Sequence, residues 1–151
     1  YIRNIRVIMP GGICDDNPFV WHRDATTCRG RYSALEQAAE TLVFHPEFLA
    51  GLSQNRVIRF TQAANIAESE VSEWPERPQL SDRVWNDELR GMPEELYPAL
   101  ATILHADPWL SMPYKASDNY IRSFALLAKQ TLNKNQTVYV EYSADGWDRG
   151  R

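Results

Sequence analysis

The chain has 151 residues, of which 44% are apolar and 24% are charged, so it is long enough to bury the core of an ordinary folded domain. Its 16 basic and 20 acidic residues give a net charge of −4 and are mixed along the sequence, which argues against nucleic acid as a partner. No window approaches the roughly 18 consecutive apolar residues that a membrane-spanning helix needs, so we expect no membrane span.

Short segments rich in β-branched and aromatic residues, bounded by turn formers, predict strands. These segments are Asn4–Met9, Arg56–Thr61, Trp109–Met112 and Thr137–Tyr142. Between the first two, Ser33 and Glu36 have the spacing of a capping box, and the helix that they open is predicted to run to Phe44. Pro46 is predicted to start another helical turn, because proline is tolerated best in a helix's first turn.

Two further helices are predicted in the second half of the chain. Pro93–Glu95 places a proline and two carboxylates at the start of an apolar-periodic stretch, and Ser117 caps a second stretch that runs to Leu132. Two long polar stretches, 10–31 and 62–90, are predicted to be loops. The alternation of strands and helices predicts one α/β unit with parallel strands.

Four motifs occur in an order that resembles a known family. They are Arg3–Gly11 (RNIRVIMPG), His45–Leu49 (HPEFL), Ala106–Pro113 (ADPWLSMP) and Val138–Ser143 (VYVEYS). In these the chain resembles secreted cellulose-binding or carbohydrate-binding proteins related to the clan A glycoside hydrolases. The resemblance implies a partial (β/α)8 (TIM) barrel of about the first four strand-helix units. Residues 1–151 would then form a single half-barrel segment of a longer chain.

The last motif departs from the family at the position of the catalytic acid/base. The family continues Tyr-Ser-Asn-Glu, whereas this chain reads Tyr-Ser-Ala-Asp, so Asp145 stands where the resemblance implies the glutamate. Aspartate is shorter by one methylene, and a misplacement of about 1 Å can cost on the order of a hundredfold in rate. Asp145 also precedes Gly146, and Asp-Gly is a common turn sequence. Glu141 is a second catalytic candidate, or else the partner of Arg59 in a buried ion pair.

Other strand ends supply candidate glycan-binding residues. Arg59 corresponds to an arginine that the resemblance places near the active site, while Gln62 and Tyr114 replace an acid and a histidine of the family. Tryptophan rings can stack on sugars, although most tryptophans are core or loop anchors. Trp147 follows the fourth strand and matches a family tryptophan, and Trp74 and Trp85 lie in the second long loop.

Two cysteines and an N-glycosylation sequon indicate the cellular compartment of the protein. Cys14 and Cys28 flank a short polar loop and are predicted to form a disulfide, which is typical of an oxidising, extracellular setting. A metal site formed with His22 is the alternative, but the spacing matches no standard zinc pattern, so we expect no metal and no cofactor. Asn135 begins an N-glycosylation sequon in the turn before the fourth strand.

Three functions fit these patterns. We expect a catalytically degenerate glycoside-hydrolase-like barrel module of an extracellular protein, which binds a glycan or serves in assembly. The second is an active retaining glycoside hydrolase that uses Asp145, with its nucleophile outside this segment. The third is a structural subunit, since an isolated half-barrel leaves sheet edges open to other protein chains or to the remainder of its own barrel.

Overall fold

The computed structural model describes residues 7–38, 44–82, 85 and 90–143. The chain divides into two compact units, Tyr1–Gln54 and Asn55–Arg151. The elements of the first unit are β1 (Gly12–Cys14), β2 (Asn17–His22), β3 (Tyr32–Ala34), α1 (Leu35–Ala38) and α2 (Pro46–Leu52). Those of the second are β4 (Val57–Arg59), α3 (Leu96–Leu104), β5 (Asp107–Met112), α4 (Asp118–Thr131) and β6 (Tyr139–Tyr142).

The predicted partial (β/α)8 barrel is wrong. The described residues form an open, three-stranded parallel sheet in the order β4-β5-β6 and a separate antiparallel sheet in the order β2-β1-β3. A barrel would require the first predicted strand, Asn4–Met9, to pair in parallel with the second. Most of that segment lies outside the described residues, and its remainder, 7–9, is not in a strand. The other three predicted strands are confirmed as β4, β5 and β6.

The first unit contains a sheet where a loop, 10–31, was predicted. β1 pairs antiparallel with both β2 and β3. The turn between β1 and β2 is the short polar pair Asp15-Asp16, and the Asp15 carboxylate accepts a hydrogen bond from the Arg31 backbone nitrogen at 2.7 Å. Local pairing of this kind closes a much smaller loop than pairing with a distant strand, so it costs less chain entropy.

The predicted disulfide between Cys14 and Cys28 is confirmed, with the two Cα atoms 5.5 Å apart. Cys14 is fully buried. The bridge therefore ties the end of β1 to the segment that leads into β3. Ser33 belongs to β3, so it does not cap a helix as predicted, whereas α2 begins at Pro46 as predicted.

The core of the second unit is an aromatic cluster under α3 and α4. The ring centroids of neighbouring members lie 5.0 to 6.3 Å apart. The members are Phe60, Trp74, Tyr97, Tyr120 and Phe124. The Ser117 hydroxyl caps α4 by accepting from the Tyr120 nitrogen at 3.2 Å, as predicted. Residues 93–95 precede α3, which begins at Leu96.

The buried carboxyl group of Glu94 connects the segment before α3 to α4. Glu94 is buried and accepts a hydrogen bond from the Tyr120 hydroxyl, while the Arg77 Nε atom lies 3.9 Å from its other oxygen. Arg77 instead makes its close ion pair with Glu95, at 2.6 Å. Burial raises the pKa of Glu94 to about 7, although the Tyr120 hydrogen bond opposes that rise.

Removal of the disulfide should destabilise the first unit. With a sequence separation of 14 between the cysteines, the double variant Cys14→Ala/Cys28→Ala should lose about 3 kcal/mol of unfolding free energy, because the unfolded chain gains loop freedom. Urea unfolding measures the loss. The reduced native chain is the control and should unfold at the same urea concentration as the variant. An unchanged midpoint on reduction would contradict the stabilising role.

The stability of the second unit should fall as the pH rises between about 4.5 and about 7. In that window the unfolded state releases the Glu94 proton, for which the ordinary pKa is 4.5, while the folded state keeps it up to about 7. The loss should be on the order of 3 kcal/mol. Urea unfolding at several pH values should show this dependence in the native chain and a flatter one in Glu94→Gln. Equal slopes in the two proteins would contradict it.

Candidate functional site

The site is built on β5, which pairs in parallel with β4 on one side and with β6 on the other. Side chains alternate between the two faces of a sheet. The register sets Arg59 beside Trp109 and Trp109 beside Tyr139, and two residues later it sets Ser111 beside Glu141. These five side chains therefore share one face, which we call the open face.

The open face is exposed at its aromatic residues. Trp109 is 37% exposed and Tyr139 is 44% exposed, and their ring centroids lie 6.1 Å apart. The Arg59 guanidinium carbon lies 5.0 Å from the centre of the Trp109 ring, within the range of a cation–π contact. Parallel sheets are usually covered on both faces, so an exposed aromatic pair on such a face indicates a binding surface.

Arg59 and Glu141 form the ion pair that the sequence left as one alternative. Arg59 Nη2 donates to both Glu141 oxygens at 2.8 Å, and its Nε donates to Oε2 at 3.1 Å. The Ser111 hydroxyl donates to Oε2 at 3.2 Å. The pair was expected to be buried, but the two side chains are 33% and 20% exposed.

The Glu141 carboxyl is held in its ionised form. Partial desolvation acts to raise its pKa, but the hydrogen bonds and charge of Arg59 outweigh that effect, helped by Ser111, and the net pKa is lowered. An ionised carboxylate accepts hydrogen bonds and cannot donate a proton to a leaving group. The geometry therefore favours a hydrogen-bond acceptor at this position over a general acid.

A polar cavity of about 540 Å³ lies beside the open face, after the end of β4. Arg59 and Gln62 both line it, so the structure brings these two predicted residues together. Thr61 and Asn65 also contribute to its wall. The cavity thus extends the open face with amide and hydroxyl groups, which are the usual hydrogen-bonding partners of a polar ligand.

The remaining predicted glycan-binding residues lie elsewhere or outside the described residues. The ring of Trp74 packs edge-on against Tyr120 and has the Arg77 guanidinium 3.9 Å from its centre, so it is an anchor of the aromatic cluster. Trp85 is half-buried in a bend. Asp145 and Trp147 lie outside the described residues.

Tyr114 lies just beyond the end of β5. Its backbone oxygen accepts from the Tyr142 hydroxyl at 2.8 Å, and its ring is 42% exposed with the Lys115 ammonium 5.3 Å from its centre. Lys115 is itself paired with Glu70. Tyr114 is accessible to a ligand at the carboxyl ends of the strands.

Trp109 and Tyr139 were missed as site residues. In parallel α/β folds polar chemistry is expected at the carboxyl ends of strands, whereas these rings lie within the strands. The alternation of side chains along a strand could have identified them. Trp109 lies two residues before Ser111 and Tyr139 lies two residues before Glu141, so each ring shares a face with a polar residue of its own strand.

Metal binding has little support in the described ranges. The side chains that come within 4.8 Å of one another with suitable ligand atoms there are Cys14, Asp16 and Cys28. Both sulfur atoms belong to the disulfide, and zinc needs thiolates. His22, the other ligand of the alternative metal site, makes a 2.8 Å hydrogen bond with the Thr27 hydroxyl.

Comparisons with protein-family models, with curated proteins and with solved structures find no match to this chain. In the part of the chain that the structure describes, no helix has the length and apolar character needed to span a membrane. The function must therefore be inferred from the site itself.

The sequon lies on an exposed turn before β6. Asn135 is exposed, whereas the neighbouring Gln136 side chain points inward, where its amide donates to the Ala101 oxygen at 3.0 Å. The Thr137 backbone nitrogen donates to the Asp107 carboxylate at 2.8 Å, which leaves the threonine side chain out of that contact. The turn therefore presents Asn135 outward.

Asn135 should carry an N-linked glycan when the chain is secreted from a eukaryotic cell. Treatment with peptide N-glycosidase should then increase the electrophoretic mobility of the native chain. Thr137→Ala removes the sequon without altering Asn135 and should abolish the shift. Thr137→Ser preserves the sequon and is the matched control. A native chain that shows no shift would contradict the prediction.

Proposed function

We propose that the open face binds a neutral glycan chain and that the protein is an extracellular carbohydrate-binding module without hydrolytic activity. The observation that carries this proposal is the exposed Trp109–Tyr139 pair beside the fixed Arg59–Glu141 pair on one face of the parallel sheet. A sugar ring has an apolar face and a polar edge, and this surface offers a partner to each.

The aromatic pair supplies the apolar contact. Tryptophan and tyrosine bring a large contact area at a low cost in side-chain entropy, and the Trp109 ring is held by strand pairing and by the Arg59 guanidinium. A pyranose lying on these rings would have its hydroxyl groups directed to the sides. Those hydroxyl groups would meet Glu141 on the face and Gln62 in the adjoining cavity.

The charges favour a neutral ligand. Arg59 and Glu141 neutralise each other through bidentate hydrogen bonds, so the site has no unpaired charge on these two groups to attract an acid or a base. Each group still has hydrogen-bonding capacity for hydroxyl groups, because a carboxylate accepts several bonds and a guanidinium donates several.

The same geometry supports binding over hydrolysis. Retaining hydrolysis needs a protonated carboxylic acid and a second carboxylate about 5–5.5 Å away. Glu141 has a lowered pKa, so it is unsuited to the role of the protonated acid. The disulfide is consistent with an extracellular location.

Trp109→Ala and Tyr139→Ala should each weaken binding to a soluble neutral polysaccharide. Affinity electrophoresis in gels containing hydroxyethylcellulose or xylan measures the dissociation constant. We expect a loss of about tenfold for either variant, since an aromatic contact is worth on the order of 1 kcal/mol beyond its buried area. Phe48→Ala is the control, because Phe48 is an aromatic residue of comparable exposure, 50%, in the first unit.

Circular dichroism should show that the variants remain folded. Retardation that is equal in all four proteins, or absent from the native chain with every polysaccharide tested, would overturn the proposal. Release of reducing sugar that is abolished in Glu141→Gln would overturn its second part, the lack of hydrolysis.

A further inference from the structure

A groove of about 510 Å³ lies on the opposite face of the parallel sheet, between α4 and the strands β5 and β6. We call it the α4 groove. Its walls are apolar, with Ile121, Ala125 and Ala128 on the helix, Leu110 and Val140 on the strands, and Val138 just before β6. These strand residues have the opposite parity to Trp109 and Tyr139, so the α4 groove is separate from the open face.

Short side chains contribute to the helical wall of the α4 groove, and its strand wall is partly exposed. The small side chains of Ala125 and Ala128 form part of its helical wall, and the buried Leu110 forms part of its floor. Val140, on β6, is 66% exposed. Apolar area that water still reaches gives an aliphatic ligand a favourable contact of about 25 cal/mol per Å² buried.

One end of the α4 groove is positively charged. Lys129 and Lys134 line it where α4 leads into β6, next to Asn133 and Gln136. None of its described lining residues is acidic, although the chain as a whole has a net charge of −4. Neither lysine makes an ion pair with another described residue. Both cations therefore remain available to a ligand.

We propose that the α4 groove binds an aliphatic chain that carries an anionic head group. The alkyl chain would lie along Ala125 and Val140, and the head group would lie between Lys129 and Lys134. The volume lies within the range of about 300–1,000 Å³ that is usual for small-molecule sites. The charge complementarity of the two lysines selects an anionic amphiphile over a neutral or cationic one.

The head group is tested by calorimetric titration with decanoate and decyltrimethylammonium below their micelle concentrations and with decanol below its solubility limit. Decanoate should bind most tightly to the native chain. The double variant Lys129→Gln/Lys134→Gln should lose about tenfold in affinity for decanoate, because it removes both charge contacts to the carboxylate, and should bind decanol unchanged. Equal affinity of the native chain for decanoate and for decyltrimethylammonium would overturn the proposal.

The position is tested with a matched pair of tryptophan variants on α4. Ala125→Trp fills the groove and should abolish binding of decanoate and decanol. Leu126→Trp places the same ring at the next residue, which is 53% exposed and does not line the groove, and should leave binding unchanged. Decanoate binding that survives Ala125→Trp would overturn the proposal. So would a native dimer that binds no decanoate and that Ala125→Trp converts to a monomer, because a second copy would then occupy the groove.

Discussion

The pairing of β5 with two parallel neighbours determines which side chains of the second unit can act together. Its register brings Arg59, Trp109 and Tyr139 into line and sets Ser111 beside Glu141. A shift of one residue in any strand would exchange its two faces, so the same register also directs Leu110 and Val140 toward α4. The polar, aromatic open face and the apolar α4 groove are thus two results of one set of backbone hydrogen bonds.

The helices and strands of the second unit were predicted from the sequence more accurately than those of the first. α4 has a serine cap and a continuous apolar face, and β5 and β6 are short apolar strands bounded by turns, so local chemistry determines them. Barrel closure is a property of how many strands pair and with what stagger, which no single strand encodes. In the first unit the Asp15-Asp16 turn allowed local antiparallel pairing, which the long polar character of residues 10–31 did not indicate.

The candidate site was predictable only in part. Arg59, Gln62 and Glu141 were found because they stand near strand ends, where parallel α/β folds keep their polar groups. Trp109 and Tyr139 required the pairing register as well, since a tryptophan in a strand is equally suited to the core. Trp74 illustrates the converse, because its long polar loop suggested a ligand contact, whereas its ring packs edge-on against Tyr120 and under the Arg77 guanidinium.

The Arg59–Glu141 pair orients side chains on the open face more than it stabilises the folded state. Ion pairs that are this exposed contribute about 0–1 kcal/mol to folding, because water solvates the separated charges almost as well. The pair nevertheless holds the Arg59 guanidinium near the Trp109 ring and fixes the positions of both Glu141 oxygens relative to the sheet. A ligand that meets this surface finds its hydrogen-bonding groups already ordered, so the entropy of arranging them is lost in folding and not in binding.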